Sequence, residues 1–153
     1  MTFEEKMNRI SEITDLYLCR YGRTQIGIFH LPTTDSNPDW FQIFTNTLMV
    51  TLRRKNIMPY SFWIRDVQAN RFILILWGSG YFRNNLNDIA RIVERAWSFR
   101  APDPAVTLGS FSLSTESPAE DRLRFTRTVE EVIQSSASTG LWHQRSFGGS
   151  QIR

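Results

Sequence analysis

Few residues in this chain have side chains that could carry out catalysis or bind a metal. Two histidines, His30 and His143, and one cysteine, Cys19, leave little material for a zinc site or a histidine-based triad. The stretch Gly78–Gly80 lacks the lysine and hydroxyl residue that follow in a phosphate-binding loop. His30 is interpreted as a structural histidine, although Asp66 ends a neighbouring predicted strand. The sequence therefore predicts a protein that is not an enzyme, with no catalytic residue, no metal site and no cofactor.

Arginine is the most distinctive residue type in the sequence. Residues 20–100 hold eleven basic residues against five acidic ones, whereas the rest of the chain is slightly acidic. The planar guanidinium group is well suited to contacts with phosphate and carboxylate groups. This excess permits a nucleic-acid partner, and a solvated surface that reflects codon usage is the alternative explanation. The residues that we predict to bind nucleic acid or another partner are Arg53, Arg54, Lys55, Arg65, Arg71 and Arg83.

Apolar residues recur with the periods of four helices and four strands. Thr2 is predicted to begin the first helix and Gly22 to end it, and the second helix ends in the cluster Arg53–Lys55. Three positive charges at that end also complement the helix dipole, which is the structural explanation of the cluster. Ser117 is predicted as the N-cap of the last helix because Glu120 completes a capping box. The strands are predicted at residues 24–31, 60–67, 71–77 and 105–113, and the third helix at 85–98.

The order of these elements indicates the fold class. After the first helix, the order β-α-β-β-α-β is that of two split β-α-β units. We therefore predict an α+β fold with a ferredoxin-like antiparallel sheet and extra N- and C-terminal helices. The strand at 71–77 is apolar on both faces, so the extra helices are expected to cover part of the second face. Residues 1–140 are predicted to form a single domain, and residues 141–153 a tail.

Four short motifs resemble those of one known family. They are Trp63–Asp66, Asn70–Arg71 before an apolar strand, Ile92–Trp97 and Arg145–Gln151. Together they resemble the YagK/YfjJ C-terminal-domain family, which comprises prophage and filamentous-phage-type proteins similar to rolling-circle replication initiators. The resemblance spans nearly the whole chain and implies a replication-initiator-like fold.

The chain departs from that family where the initiators carry their chemistry. Such enzymes hold a metal with two histidines on the central strand, and a tyrosine on a later helix attacks the scissile phosphate. The His-Tyr-His-like signature of the family is replaced here by Ala69–Ile73, which contains no histidine. Its Ser-Tyr-Leu-Ala-Lys-like segment is replaced by Arg127–Ile133, which contains neither tyrosine nor lysine. The resemblance therefore implies the fold of an initiator without its nicking activity.

Two functions from different classes remain. The first is a non-catalytic protein of a phage, plasmid or prophage that binds nucleic acid or a nucleoprotein complex through its arginines. The alternative is an anti-CRISPR-type inhibitor of a host defence system that docks on a protein, for which the 13% of aromatic residues are candidate anchors. A residual nuclease that uses Asp66 and other carboxylates with Mg²⁺ is the least favoured hypothesis.

The sequence also bears on location and assembly. No apolar run approaches the length of a membrane span, and the N-terminus does not resemble a secretory signal. A single cysteine is compatible with a reducing compartment. We therefore expect a cytoplasmic protein with no membrane partner, and homodimerisation is left open.

Overall fold

The structure, a computed structural model, defines residues 2–32, 38–55, 59–66, 71–78, 86–98, 104–136 and 140–146. This part of the chain contains four helices and five strands. The helices are α1 (Phe3–Tyr21), α2 (Pro38–Arg54), α3 (Leu86–Ser98) and α4 (Ala119–Ser136). The strands are β1 (Arg23–Pro32), β2 (Tyr60–Asp66), β3 (Arg71–Gly78), β4 (Val106–Ser114) and β5 (Gly140–Ser146).

The five strands form one antiparallel sheet in the order β4-β1-β3-β2-β5, with β3 at its centre. Its first four strands have the ferredoxin-like arrangement of two split β-α-β units, which confirms the predicted α+β fold. β5 lies beyond β2, where Ser146 pairs with Tyr60 and Gly140 with Asp66. The tail predicted from residue 141 therefore begins with a strand. The sequence of this segment has little periodicity, and the strand forms because its backbone pairs with the open edge of β2.

Helices cover both faces of the sheet, as the apolar character of its central strand predicts. On one face, α1 and α4 contribute Ile10, Ile13, Tyr17, Phe125, Val129 and Ile133 to the core. On the other face, α2 and α3 contribute Phe44, Leu48, Leu52, Ile89, Val93 and Trp97. The fold is therefore a sandwich of three layers, with the sheet in the middle.

β3 holds the two helical layers together. Ile73 and Trp77 belong to the core beside α1 and α4, whereas Leu74 and Leu76 belong to the core beside α2 and α3. Each of these four side chains is at most 1% exposed. Burial of a side chain of this size contributes about 1.5–3 kcal/mol to folding. A polar residue at any of these positions would therefore weaken one of the layers.

Both predicted ends of α1 are confirmed. The hydroxyl of Thr2 accepts a hydrogen bond from the N–H of Glu5 at 3.1 Å. Gly22 has a left-handed φ of 75°, and its N–H donates to the carbonyl of Leu18 at 2.8 Å. Glycine adopts this conformation without the steric cost that a Cβ atom brings.

The predicted cap of α4 is wrong. The helix begins at Ala119, and the hydroxyl of Ser117 accepts a hydrogen bond from the N–H of Ser114 at 2.9 Å. The N–H of Ser117 donates in turn to the carbonyl of Ser114 at 3.1 Å, so it is not available to Glu120 for a capping box. Ser117 therefore closes the turn that follows β4 instead of capping the helix.

Candidate nucleic-acid interface

The faces of the inner strands β1, β2 and β3 are unavailable to a nucleic acid. Ferredoxin-like modules that read RNA do so with exposed aromatic residues on an open sheet face. Here helices cover both faces, and Trp63, Trp77 and Trp97 are fully buried. Among the described residues, the large exposed apolar side chains are aliphatic: Leu16, Ile43, Val50, Val106, Leu108 and Leu123. An interface for a partner is therefore to be sought on the helical layers or at the sheet edges.

The structure places five of the six predicted binding residues, and these lie at different ends of the sheet. Arg53 and Arg54 end α2, and Lys55 follows directly; all three are exposed. The chain then enters β2 at Tyr60, whereas Arg65 and Arg71 lie at the far end of β2 and at the start of β3. Seven residues of a strand span roughly 20 Å. The structure thus does not bring Arg65 or Arg71 next to the α2 cluster.

Two of the six residues cannot be placed further. Arg83 lies outside the described residues, and of Arg65 only the backbone is described, which pairs with Phe72 and Leu141. Arg71 is partly buried at the beginning of β3, where its backbone pairs with Pro32 and Asp66.

Two exposed arginines of α3, Arg91 and Arg95, lie close to Lys55 and were not among the six predicted binding residues. α2 and α3 pack side by side on the same face of the sheet. An open groove of about 390 Å³ between them is lined by Thr47, Thr51, Lys55, Asp88, Arg91, Ile92, Arg95 and Ala96. Arg91 and Arg95 are four residues apart, on the side of α3 opposite Val93. We refer to Arg53, Arg54, Lys55, Arg91 and Arg95 as the α2–α3 surface.

The groove offers hydrogen-bond donors through its cations. The hydroxyl groups of Thr47 and Thr51 donate to the carbonyls of Ile43 and Thr47 at 2.8 and 2.9 Å. Towards the groove these hydroxyls can then act only as acceptors. The side-chain donors are the ammonium of Lys55 and the guanidinium groups of Arg91 and Arg95. A ligand of this groove is therefore expected to carry negative charge.

The cations of the α2–α3 surface have few internal partners. Within the described ranges, Arg53, Arg54, Lys55 and Arg95 form no ion pair. Arg91 lies 3.6 Å from Asp88, and its side chain is 71% exposed. Exposed pairs of this kind stabilise proteins by little, so Arg91 can exchange its partner at small cost.

The opposite helical layer is balanced by contrast. α1 and α4 each contain four acidic and three basic residues, whereas α2, Lys55 and α3 together contain five basic and three acidic ones. Arg122 joins the two helices of the first layer, through Asp15 at 2.9 Å and the hydroxyl of Ser11 at 3.1 Å. The molecule therefore has a basic helical layer on one side of the sheet and a slightly acidic one on the other.

His30 lies beside β3 on the α1–α4 side of the sheet. The backbone of His30 pairs with Ile73 of β3 and Val106 of β4. The backbone of Asp66, in β2, pairs with Arg71 of β3, so β3 lies between His30 and Asp66. Burial, followed by the charge of Arg71, lowers the pKa of His30 below its ordinary value. No group of three or more histidine, cysteine or acidic residues that could hold a metal occurs in the part of the chain that the structure describes.

Comparisons with known proteins give no further assignment. No family model, curated protein or solved structure matches the chain. Among the described residues, no helix has both the length and the apolar character needed to cross a bilayer. The geometry and charge of the α2–α3 surface are therefore the observations from which a function is inferred.

Proposed function

We propose that this protein is a non-catalytic nucleic-acid-binding protein of a mobile genetic element. It binds the sugar–phosphate backbone, alone or in a nucleoprotein complex, through the α2–α3 surface. The observation that carries this proposal is the set of four exposed cations there that form no ion pair within the described residues. The arginines of the opposite layer that bond to Asp15 and Asp121 supply the contrast.

The physical basis of the binding is the release of counterions. Each phosphate that a lysine or arginine neutralises frees condensed counterions into solution, which drives association and makes it sensitive to salt. The guanidinium fork can also bond two phosphate oxygens at once. These contacts fix the position of the nucleic acid but do not read its bases. We therefore expect binding with little sequence preference.

The proposal includes no cleavage step. The segment that replaces the tyrosine motif of the initiator-like family forms part of α4, where Val129 and Ile133 are buried core residues. The segment that replaces the histidine motif leads into β3, where Phe72 and Ile73 are buried. These four buried residues serve packing, which supports a binding role in preference to a catalytic one.

A second candidate function is docking on a host protein, as an inhibitor of a defence system would do. Ile43 and Val50 favour it, because they are seven residues apart on α2 and each is 44% exposed. They lie on the helix that carries Arg53 and Arg54. Exposed apolar side chains next to arginines are a feature of protein interfaces. The two candidates thus share one helix but use different side chains of it.

A fluorescence-anisotropy titration separates these functions. Fluorescently labelled single-stranded and duplex DNA are titrated with the protein at low and moderate salt in the presence of Mg²⁺. The DNA is then examined on a gel. Micromolar or tighter binding that weakens with salt, without cleavage, supports the proposal. Absence of binding at low salt would refute it and direct attention to a host protein. Cleaved DNA would contradict the non-catalytic assignment.

A pair of variants then distinguishes the two uses of α2. The substitutions Ile43→Ser and Val50→Ser are expected to leave DNA binding unchanged, because neither residue carries charge. If they abolish inhibition of the host defence system while DNA binding persists, the protein-docking function is favoured. Circular dichroism checks that both variants remain folded.

A further inference from the structure

The outer edge of β4 has no partner strand in the part of the chain that the structure describes. β4 is the end strand of the sheet and pairs with β1. Its nine residues include no charge and no proline, two of the features that commonly protect an edge strand from pairing with another chain. A third such feature, a β-bulge, lies at Leu108 and leaves the stretch from Gly109 onward regular. Val106 and Leu108 at its beginning are 48% and 41% exposed. This edge is therefore chemically suited to accept a further strand.

The hydrogen bonds at the end of β4 reveal which of its backbone groups face outward. The N–H of Thr115 donates to the carbonyl of Gly22 at 3.1 Å, so these two residues form a hydrogen-bonded pair. Hydrogen-bonded and non-hydrogen-bonded pairs alternate along antiparallel strands. From Gly109 to Leu113, where the register with β1 is regular, every second residue therefore bonds to β1. The N–H and C=O groups of Ser110, Ser112 and Ser114 point away from it.

Ser114 agrees with this alternation and also limits the open stretch. Its N–H donates to the hydroxyl of Ser117 at 2.9 Å, and its carbonyl accepts the N–H of Ser117 at 3.1 Å. The turn after β4 thus satisfies both outward groups of Ser114. Ser110 and Ser112 are exposed, and their outward backbone groups form the open part of the edge.

We propose that a second copy of this chain pairs with this stretch, antiparallel, about a two-fold axis at Phe111. Ser110 of each copy then lies opposite Ser112 of the other, and the two contacts together form four N–H···O bonds. The two copies of Phe111 face each other in a non-hydrogen-bonded pair, in which the side chains approach most closely. Each ring is already buried against Phe125 in its own copy, so the bonds between the two copies come from the backbone.

Symmetry and charge favour a second copy over an unrelated strand. The sequence Ser110-Phe111-Ser112 reads the same in both directions, so a two-fold axis at Phe111 places a serine opposite a serine on each side of it, a pair that can form cross-strand hydrogen bonds. β4 has no charge that would oppose itself across the axis. The guanidinium of Arg124 lies 5.9 Å from the centre of the Phe111 ring and 3.8 Å from Asp121, so the charge beside the axis is balanced in each copy.

The dimer would arrange its helical layers in a defined way. The axis runs perpendicular to the sheet, so both α2–α3 surfaces lie on the same side of a continuous ten-stranded sheet.

The pairing rests on β4 alone and does not depend on the proposed function. A dimer without nucleic-acid binding, or binding by a monomer, would therefore separate the two proposals.

Sedimentation and hydrogen exchange test the pairing on the unmodified chain. As the protein concentration is raised, the mass is expected to increase from 17.9 kDa towards twice that value. Over the same range, amide exchange at Ser110 and Ser112 slows, whereas exchange at Phe111 is slow throughout because its N–H bonds to β1. A monomeric mass at every concentration, or exchange at the two serines that does not depend on concentration, would overturn the proposal.

Two substitutions at one position provide the matched comparison. Ser112→Pro removes an outward N–H that β1 does not use, and proline is tolerated at such edge positions. This variant is expected to remain monomeric with the circular dichroism spectrum of the parent chain. Ser112→Val keeps the N–H and is expected to dimerise. A dimeric Ser112→Pro variant would refute the register; if that variant fails to fold, the exchange experiment on the unmodified chain decides.

Discussion

Loss of charge from the α2–α3 surface is expected to reduce both the affinity for nucleic acid and its dependence on salt. The variant Arg91→Gln/Arg95→Gln removes two of the five cations of this surface. Neither side chain belongs to the core, since Arg91 and Arg95 are both exposed on the outer side of α3. Its effect should therefore appear in binding and not in folding.

The magnitude follows from the number of phosphates contacted. If each of the five cations neutralises one phosphate of a single strand, the logarithm of the binding constant falls with the logarithm of salt with a slope of about −3.5. With three cations the slope is about −2.1. Between about 50 and 200 mM salt, the affinity of the parent chain then falls roughly 100-fold and that of the variant roughly 20-fold.

Anisotropy titrations at four or five salt concentrations measure this slope. Arg20→Gln/Arg127→Gln is the matched control, because it removes the same charge from exposed positions of α1 and α4, on the other side of the sheet. Its slope is expected to equal that of the parent chain. Equal slopes for both variants would refute the reasoning, because binding would then respond to net charge and not to the position of the cations.

Three further outcomes test the account of the fold. Gly27→Ala is expected to destabilise the protein by about 1–3 kcal/mol in chemical denaturation, because a Cβ atom there would lie 2.6 Å from the buried ring of Phe29; an unchanged midpoint would contradict this packing. Thr14→Val removes the acceptor that the indole N–H of Trp77 uses at 3.0 Å and should cost about 1–3 kcal/mol, whereas Thr14→Ser should cost less. The lowered pKa of His30 means that the folded state resists its protonation. Its contribution to stability is thus present above the ordinary pKa and is lost as pH falls below it, so thermal melts between pH 7.5 and 5.5 should show a smaller loss for His30→Gln than for the parent chain.

Local signals in the sequence were sufficient for much of the fold. The ends of α1 follow from Thr2 and Gly22, because both act through hydrogen bonds to residues within one turn. The apolar run of β3 indicates burial on both faces, which requires helices on each side of the sheet. Ser117 shows the limit of this reasoning: its hydroxyl can serve either the helix that follows or the strand that precedes it, and Ser114 is the partner that it bonds.

Elements and sites that depend on distant partners could not be predicted in the same way. β5 forms because its backbone pairs with β2, whereas its own residues show little periodicity. The basic surface needs the positions of α2 and α3 relative to each other, which join Arg91 and Arg95 to Lys55. A pair of arginines four residues apart on the polar side of the third helix was the signal available in the sequence. This pair of arginines indicates a binding surface only when α2 and α3 are known to lie on the same face of the sheet.

The central claim, that nucleic acid binds at the α2–α3 surface, is tested most directly by nuclear magnetic resonance. The ¹⁵N-labelled chain is titrated with a single-stranded oligonucleotide at low salt, and the backbone amide shifts are followed residue by residue. The account predicts shift changes concentrated at the end of α2 and the outer side of α3, including Lys55, Arg91 and Arg95. Changes concentrated in α1 and α4, or no changes at low salt, would contradict it.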